Sequence, residues 1–136
     1  MANLHNYHGR YCEAEFESTF LSYLEEAGWS YLAGSSLPRS SMRDVLYTDD
    51  MEFFLNRTNP DLTADEIQQI MDTVRLAGSE SDFATLHKVY DWMVNGIQFP
   101  PQAALPRMVN LIEFEDPEKN VFRAVNQFTV EYTNNG

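Results

Sequence analysis

The sequence predicts an α+β fold in which helices come first and strands follow. Apolar side chains recur at helical spacing through residues 12–96, whereas residues 97–132 change to short apolar runs and alternation. A length of 136 residues suits one domain, and an apolar content of 43% is sufficient for a core. We therefore expect a single partial domain over 12–136, preceded by a flexible tail over 1–11.

The first predicted helix begins near Cys12 and ends at Gly28, because glycine readily adopts the left-handed conformation that terminates helices. Five apolar residues form a stripe along it, namely Phe16, Phe20, Leu21, Leu24 and Ala27. Residues 29–32 are then short and extended, and the composition of residues 34–38 predicts a loop.

Three further helices are predicted. The second covers 49–55, and the third begins at the capping box formed by Thr63 and Glu66. Apolar spacing predicts that the third helix buries Ile67, Ile70, Met71 and Val74. The fourth starts near Ser81 and ends at Gly96. It carries a set of large apolar residues on one side, namely Phe83, Leu86, Tyr90, Met93 and Val94.

The remaining residues predict strands over 97–99, 107–114 and 122–131, with a turn over 115–120. In the last strand Phe122, Ala124, Phe128 and Val130 alternate with polar residues. Asn126 falls on the apolar side, where it is either a buried polar group or a site residue. Because two or three strands seldom form a self-sufficient sheet, we expect a sheet that is incomplete at the C-terminus.

The composition excludes several classes of function. The chain has 21 Asp and Glu against 9 Lys and Arg, a net charge of −12, which disfavours sequence-independent binding to phosphate backbones by this chain alone. It contains no phosphate-binding loop, dinucleotide fingerprint, serine-hydrolase elbow or zinc-protease motif. No run of residues is apolar and long enough for a membrane span, and the single cysteine fits a reducing cytoplasm.

Two carboxylates on the first helix are the candidate site residues. Glu13 and Glu17 are four residues apart and therefore share one helical face. Such a pair can supply oxygen ligands to Mg²⁺, which usually takes one or two carboxylates from a protein. Alternatively, acidic residues in a first helical turn stabilise the helix dipole. The spacing leaves both interpretations open.

Two segments resemble the N-terminal region of the restriction (R) subunit of type I restriction enzymes. The first is CEAEFE at 12–17, followed by apolar residues and by GWSY at 28–31. The second, more specific segment is VNLIEFEDPEKN at 109–120, which leads into VNQFTV at 125–130. It is similar to the family block L-I-D-F-x-N-P-x-N-N-x-F-x-V-V-N-Q-F-T-V. The resemblance covers about residues 12 to 132.

The resemblance implies a nuclease domain of the PD-(D/E)xK class with a mixed, restriction-endonuclease-like sheet. Metal-binding Asp and Glu-x-Lys residues come from two strands of that sheet, and a helix carboxylate assists. Matching by position assigns Glu13 first and Glu17 second as assisting catalytic carboxylates, with Glu13 as part of a Mg²⁺ site. The strand Asp and the Glu-x-Lys are absent from this sequence, so we expect the chain to be inactive alone.

The resemblance also implies partners and a larger context. The parent subunit would cleave foreign, unmodified DNA, bind ATP in a separate motor domain, and assemble with modification and specificity subunits on double-stranded DNA in the cytoplasm. We expect no membrane partner, and an unpaired sheet edge would favour self-association. A second hypothesis is a stand-alone acidic interaction protein, such as a DNA mimic that blocks restriction enzymes, because dense carboxylates can imitate phosphates.

Overall fold

The structure, a computed structural model, describes residues 12–77 and 81–131. Within these ranges the chain forms four α-helices and four short strands, which confirms the predicted α+β class. The strands pair into two separate two-stranded sheets, as expected of an incomplete sheet. The predicted flexible tail over 1–11 lies outside the described residues, and no helix within them has the length and apolar character to cross a membrane.

The described residues belong to two compact units. The terminal unit joins the two ends of the described chain and comprises 12–44 and 122–131. The central unit lies between them in the sequence and comprises 45–77 and 81–121.

The terminal unit contains one helix and a parallel strand pair. Helix α1 (Glu13–Glu26) ends just before Gly28, whose φ of 95° is the left-handed conformation expected there. Strand β1 (Ser30–Ala33) pairs with strand β4 (Arg123–Asn126), and Ala33 is in register with Asn126.

Only part of the apolar stripe of helix α1 is sheltered from solvent. Phe16 and Phe20 are exposed and stack on each other with ring centroids 6.4 Å apart. The half-buried positions are Leu21 and Leu24, which belong to the stripe, and Glu17, which lies one turn before Leu21. No residue of α1 is fully buried, and Glu17 shares the more sheltered face of the helix with these two leucines.

The central unit contains the other helices and an antiparallel strand pair. Its helices are α2 (Thr48–Thr58), α3 (Ala64–Arg75) and α4 (Asp82–Asn95). Its strands are β2 (Ile97–Phe99) and β3 (Arg107–Val109), with Ile97 opposite Val109. Its core consists of eight buried side chains: Phe54, Leu55, Ile67, Ile70, Met71, Ile97, Phe99 and Val109.

The predicted helix boundaries of the central unit agree with the structure where sequence signals were strong. The Thr63 side chain accepts from the backbone N–H of Glu66, whose carboxylate accepts from the backbone N–H of Thr63. Ser81 is the N-cap of α4, and Gly96 ends it with a φ of 87°. The apolar side of α4 is nevertheless exposed, with Phe83 at 83% and Leu86 at 71%.

Two predicted strands are shorter than the apolar pattern indicates. Strand β3 ends at Val109, which pairs with Ile97, the first residue of β2. Further along, the Asn120 side chain binds both backbone groups of Glu113, donating to its C=O at 2.7 Å and accepting from its N–H at 2.8 Å. These bonds hold that segment in a loop. Strand β4 ends at Asn126, where the backbone turns at Gln127 with a φ of 49°. The alternation predicted through Val130 therefore stops.

One polar cluster connects the α2–α3 loop to strand β3. The Arg107 guanidinium forms an ion pair with Asp61 and donates to the side-chain oxygen of Asn59 at 2.9 Å. The hydrogen bond from Arg107 is the main cause that holds the pKa of the Asp61 carboxyl below its ordinary value. Arg107 thus anchors the start of β3 to a loop far from it in the sequence.

Candidate functional site

The structure places both predicted site residues on helix α1, one turn apart. Glu13 is the first residue of the helix and is exposed, and Glu17 is half-buried. The N-cap residue Cys12 provides no side-chain hydrogen bond, so the free backbone N–H groups of the first turn favour nearby negative charge. Both interpretations of Glu13 therefore stay open. Its position in the first turn suits stabilisation of the helix dipole, and its exposure equally suits a site carboxylate.

Glu17 differs from Glu13 because a residue from the far end of the sequence binds it. The Gln127 side chain donates from Nε2 to Oε1 of Glu17 at 3.0 Å, across 110 positions of sequence. Gln127 is also the residue with the left-handed backbone at the end of β4. The contact therefore joins the helix carboxylate to a turn of unusual conformation for a residue other than glycine.

A close backbone approach lies beside this turn. A 3₁₀ turn follows β1 at Gly34–Ser36, and Gly34 is buried. A Cβ added to Gly34 would lie 2.5 Å from the carbonyl oxygens of both Asn126 and Gln127. Only a residue without a side chain allows the main chains to approach this closely. The backbone around Gln127 is thus confined by a contact between main chains.

Asn126 accepts a hydrogen bond from the hydroxyl of Tyr31 at 2.8 Å. The two residues lie on paired strands, because the register places Tyr31 beside Ala124, two residues before Asn126. Asn126 is half-buried, so the polar interruption of the apolar alternation has a hydrogen-bond partner. Tyr31, Asn126, Gln127 and Glu17 together form what we call the strand-end cluster.

Arg39 binds the segment that follows the strand-end cluster. Its guanidinium donates to the carbonyl oxygens of Asp44 at 2.9 Å and Thr129 at 2.8 Å, and lies 4.2 Å from the centre of the Phe128 ring. A guanidinium offers five donors in a planar fork, which suits this combination of carbonyl and ring contacts. The main chain over 127–129 therefore lies close to Gly34 and is hydrogen-bonded by Arg39 through Thr129.

The described residues do not by themselves make a metal site. Within 12–77 and 81–131, no three His, Cys, Asp or Glu side chains are grouped so that they could hold an ion. The two lysines, Lys88 and Lys119, are not preceded at the second position by an acidic residue, so the sequence has no Glu-x-Lys. Glu13 and Glu17 alone do not fit a complete Mg²⁺ centre.

Two further residues with reactive side chains, Cys12 and His87, are both exposed. Sequence reasoning missed the contacts of Gln127 with Glu17 and of Tyr31 with Asn126. The alternating pattern placed Gln127 among solvent-facing residues, and no residue near it in the sequence signals the left-handed turn.

Comparisons with known proteins agree with the resemblance seen in the two sequence segments. No solved structure matches the chain. It is 31% identical over 125 residues to a protein described as the MjaIXP endonuclease subunit of a type I restriction enzyme from Methanocaldococcus jannaschii. That alignment covers 85% of this chain and 12% of the relative, so the chain spans a small part of the protein that it matches.

A family model describing the N terminus of the type I restriction enzyme R protein matches residues 10–136. This match includes helix α1, both strands of the parallel pair and the strand-end cluster. It therefore covers all of the described residues and does not depend on one short motif. The chain belongs to the family of type I restriction enzyme R protein N-terminal regions.

Proposed function

We propose that this chain is the N-terminal part of the R subunit of an ATP-dependent type I restriction endonuclease that cleaves foreign, unmodified DNA. The observation that carries the proposal is the family match over residues 10–136. The M. jannaschii relative, described as an endonuclease subunit, supports the same assignment. Cleavage is proposed for the whole subunit, because the family's strand Asp and Glu-x-Lys are not in this sequence.

Within that subunit, Glu13 and Glu17 are proposed to assist a cleavage centre of the PD-(D/E)xK class. Both carboxylates lie on the same helix, one turn apart, and Glu17 is oriented by a hydrogen bond. The parent nuclease is proposed to use Mg²⁺, with Glu13 contributing one carboxylate and the remaining ligands coming from outside the described residues. ATP would bind in a separate motor domain of the parent.

The same proposal gives the partners and the compartment. The parent subunit would assemble with modification and specificity subunits on double-stranded DNA in the cytoplasm. Sequence recognition would belong to the specificity subunit, which is consistent with an acidic chain of net charge −12. Self-association through an unpaired edge of the β1–β4 pair remains a prediction.

The test uses the intact subunit that carries this chain, assembled with its partner subunits. We expect Glu13→Gln and Glu17→Gln each to lower the rate of DNA cleavage by about 10- to 100-fold and to raise the Mg²⁺ concentration required. DNA-dependent ATP hydrolysis should stay unchanged, because the motor is a separate domain. Glu25→Gln is the matched control, since Glu25 is exposed near the other end of the same helix.

The outcomes separate the two hypotheses. Wild-type cleavage by both the Glu13 and the Glu17 variants would show that the site assignment is wrong. The alternative of an acidic DNA mimic predicts that the 136-residue chain, added to an intact type I enzyme, inhibits cleavage in proportion to its concentration. Our proposal predicts neither cleavage nor inhibition by the chain alone.

A further inference from the structure

We infer that Gln127 is a positioning residue for the Glu17 carboxylate in the DNA-cleavage reaction. The inference rests on the proposed function, because it assigns Gln127 a role that acts only through Glu17. It is drawn from the side-chain contact between the two residues, 3.0 Å from Nε2 to Oε1, and from the backbone that presents Gln127.

The backbone at Gln127 determines where its side chain points. A residue in an uninterrupted strand would alternate faces with its neighbours, but a φ of 49° breaks that alternation immediately after β4. This conformation costs about 1 kcal/mol or more for a residue with a Cβ. The main chain of Gly34 lies close to the carbonyl groups of Asn126 and Gln127. Arg39 donates to the carbonyl oxygen of Thr129. These contacts lie beside a costly conformation that places the Gln127 side chain against Glu17.

The type of residue suits a positioning role. A glutamine amide is neutral, so it orients the carboxylate without adding a charge that would compete for it. Its contact occupies Oε1 of Glu17 and leaves the other oxygen of the carboxylate unengaged by this bond. A single fixed hydrogen bond restricts the side-chain rotation of Glu17, and orientation of a reacting group is worth far more than the contact itself.

A purely structural role is the alternative that the experiment must separate. The bond is solvent-exposed, so its contribution to folding should be small. A structural residue would change the stability of the chain with or without Glu17 present. A positioning residue would change the cleavage rate only while Glu17 is a carboxylate.

The first measurement uses the 136-residue chain and needs no activity. The side-chain amide protons of Gln127 should give a resonance shifted by the carboxylate, and Glu17→Gln should move that resonance. The same resonance should not respond to Glu25→Gln, the exposed carboxylate further along α1. An amide resonance that does not move with Glu17→Gln would contradict the contact itself.

The second measurement is a double-mutant cycle in the intact subunit with its partners. Gln127→Met keeps the length of the side chain and removes the donor; it should lower kcat for cleavage about five- to tenfold and leave KM for DNA unchanged. In a Glu17→Gln background, Gln127→Met should have no further effect, because its action passes through Glu17. Gln102→Met is the matched control, since Gln102 is exposed in the central unit.

Each result supports or overturns a distinct claim. A fall in kcat with Gln127→Met that disappears in the Glu17→Gln background supports the positioning role. Independent, multiplicative losses overturn it, as does an unchanged kcat. If Glu17→Gln itself leaves cleavage intact, the proposed function of Glu17 fails first. A thermal midpoint within a few degrees of the wild type excludes misfolding of the Gln127 variant.

Discussion

The hydroxyl of Tyr31 on β1 donates to the side-chain oxygen of Asn126 at the end of β4, and the two residues are 95 positions apart in the sequence. This bond ties the second residue of β1 to the last residue of β4, immediately before the turn at Gln127. It also explains why an amide occupies a position where the alternating pattern expects an apolar side chain. The hydrogen bond from Tyr31 therefore accounts for a polar residue at position 126.

Removing that hydroxyl should weaken the terminal unit measurably but modestly. We expect Tyr31→Phe to lower the free energy of unfolding by about 0.5–1 kcal/mol, because the bond is exposed and water partly replaces it. Urea denaturation of the chain measures the effect. Tyr23→Phe on α1 is the control, since Tyr23 is 64% exposed. Equal losses in the two variants would show that the Tyr31–Asn126 bond contributes nothing specific.

Two glycines of the terminal unit allow steric and conformational effects to be compared. Gly34→Ala should cost about 1–3 kcal/mol, because the new Cβ would meet two carbonyl oxygens at 2.5 Å. Gly28→Ala meets no atom within 4 Å but occupies a φ of 95°, so we expect about 1 kcal/mol from backbone strain alone. The midpoints of thermal unfolding of both variants check the order. A larger loss for Gly28→Ala would contradict the close approach at Gly34.

Burial in the central unit predicts which leucines matter. Leu55 is 0% exposed in the core, and Leu55→Ala should lower the free energy of unfolding by about 2–5 kcal/mol. Leu86 is 71% exposed on α4, and the same substitution there should change it by less than about 0.5 kcal/mol. Chemical denaturation of the two variants under identical conditions provides the measurement. A large loss at Leu86 would mean that the apolar side of α4 is covered in solution.

The Asp61–Arg107 ion pair predicts a dependence of stability on pH. Arg107 lowers the folded-state pKa of Asp61, so the pair stabilises the chain above the ordinary pKa of 3.8. That stabilisation should be lost as the pH falls from 3.8 through the lower folded-state pKa. The stability difference between the wild type and Asp61→Asn should therefore be present at neutral pH and disappear in acid. In an Arg107→Met background, Asp61→Asn should have little effect at either pH; a persistent difference would assign it to another partner.

How far the sequence predicts the fold depends on whether a signal is local. The capping box at Thr63 and the terminating glycines at 28 and 96 act within a few residues, and the structure confirms each of them. Burial of an amphipathic helix depends on what packs against it, which the sequence does not state. The apolar spacing of α1 and α4 therefore did not show which of their apolar side chains are sheltered from solvent.

The candidate site was predictable in part for the same reason. Glu13 and Glu17 follow from spacing on one helix and from the family resemblance. The contact of Gln127 with Glu17 depends on a left-handed turn. That turn is understood only from the close approach of Gly34 to the main chain of Gln127. Glutamine seldom adopts a left-handed backbone, so the residue type at position 127 does not predict the turn. Long-range contacts between main chains leave no periodic trace in a sequence.

The division of the terminal unit between two distant segments affects the order of events during synthesis. The central unit is continuous in sequence, so all of it can be synthesised before the second segment of the terminal unit. Asn126, the hydrogen-bond partner of Tyr31, is synthesised 95 residues later, a delay of about 5 to 20 seconds at typical elongation rates. During that interval β1 has no strand beside it. The helix that carries Glu13 and Glu17 therefore acquires its supporting strand pair only after the central helices have been made.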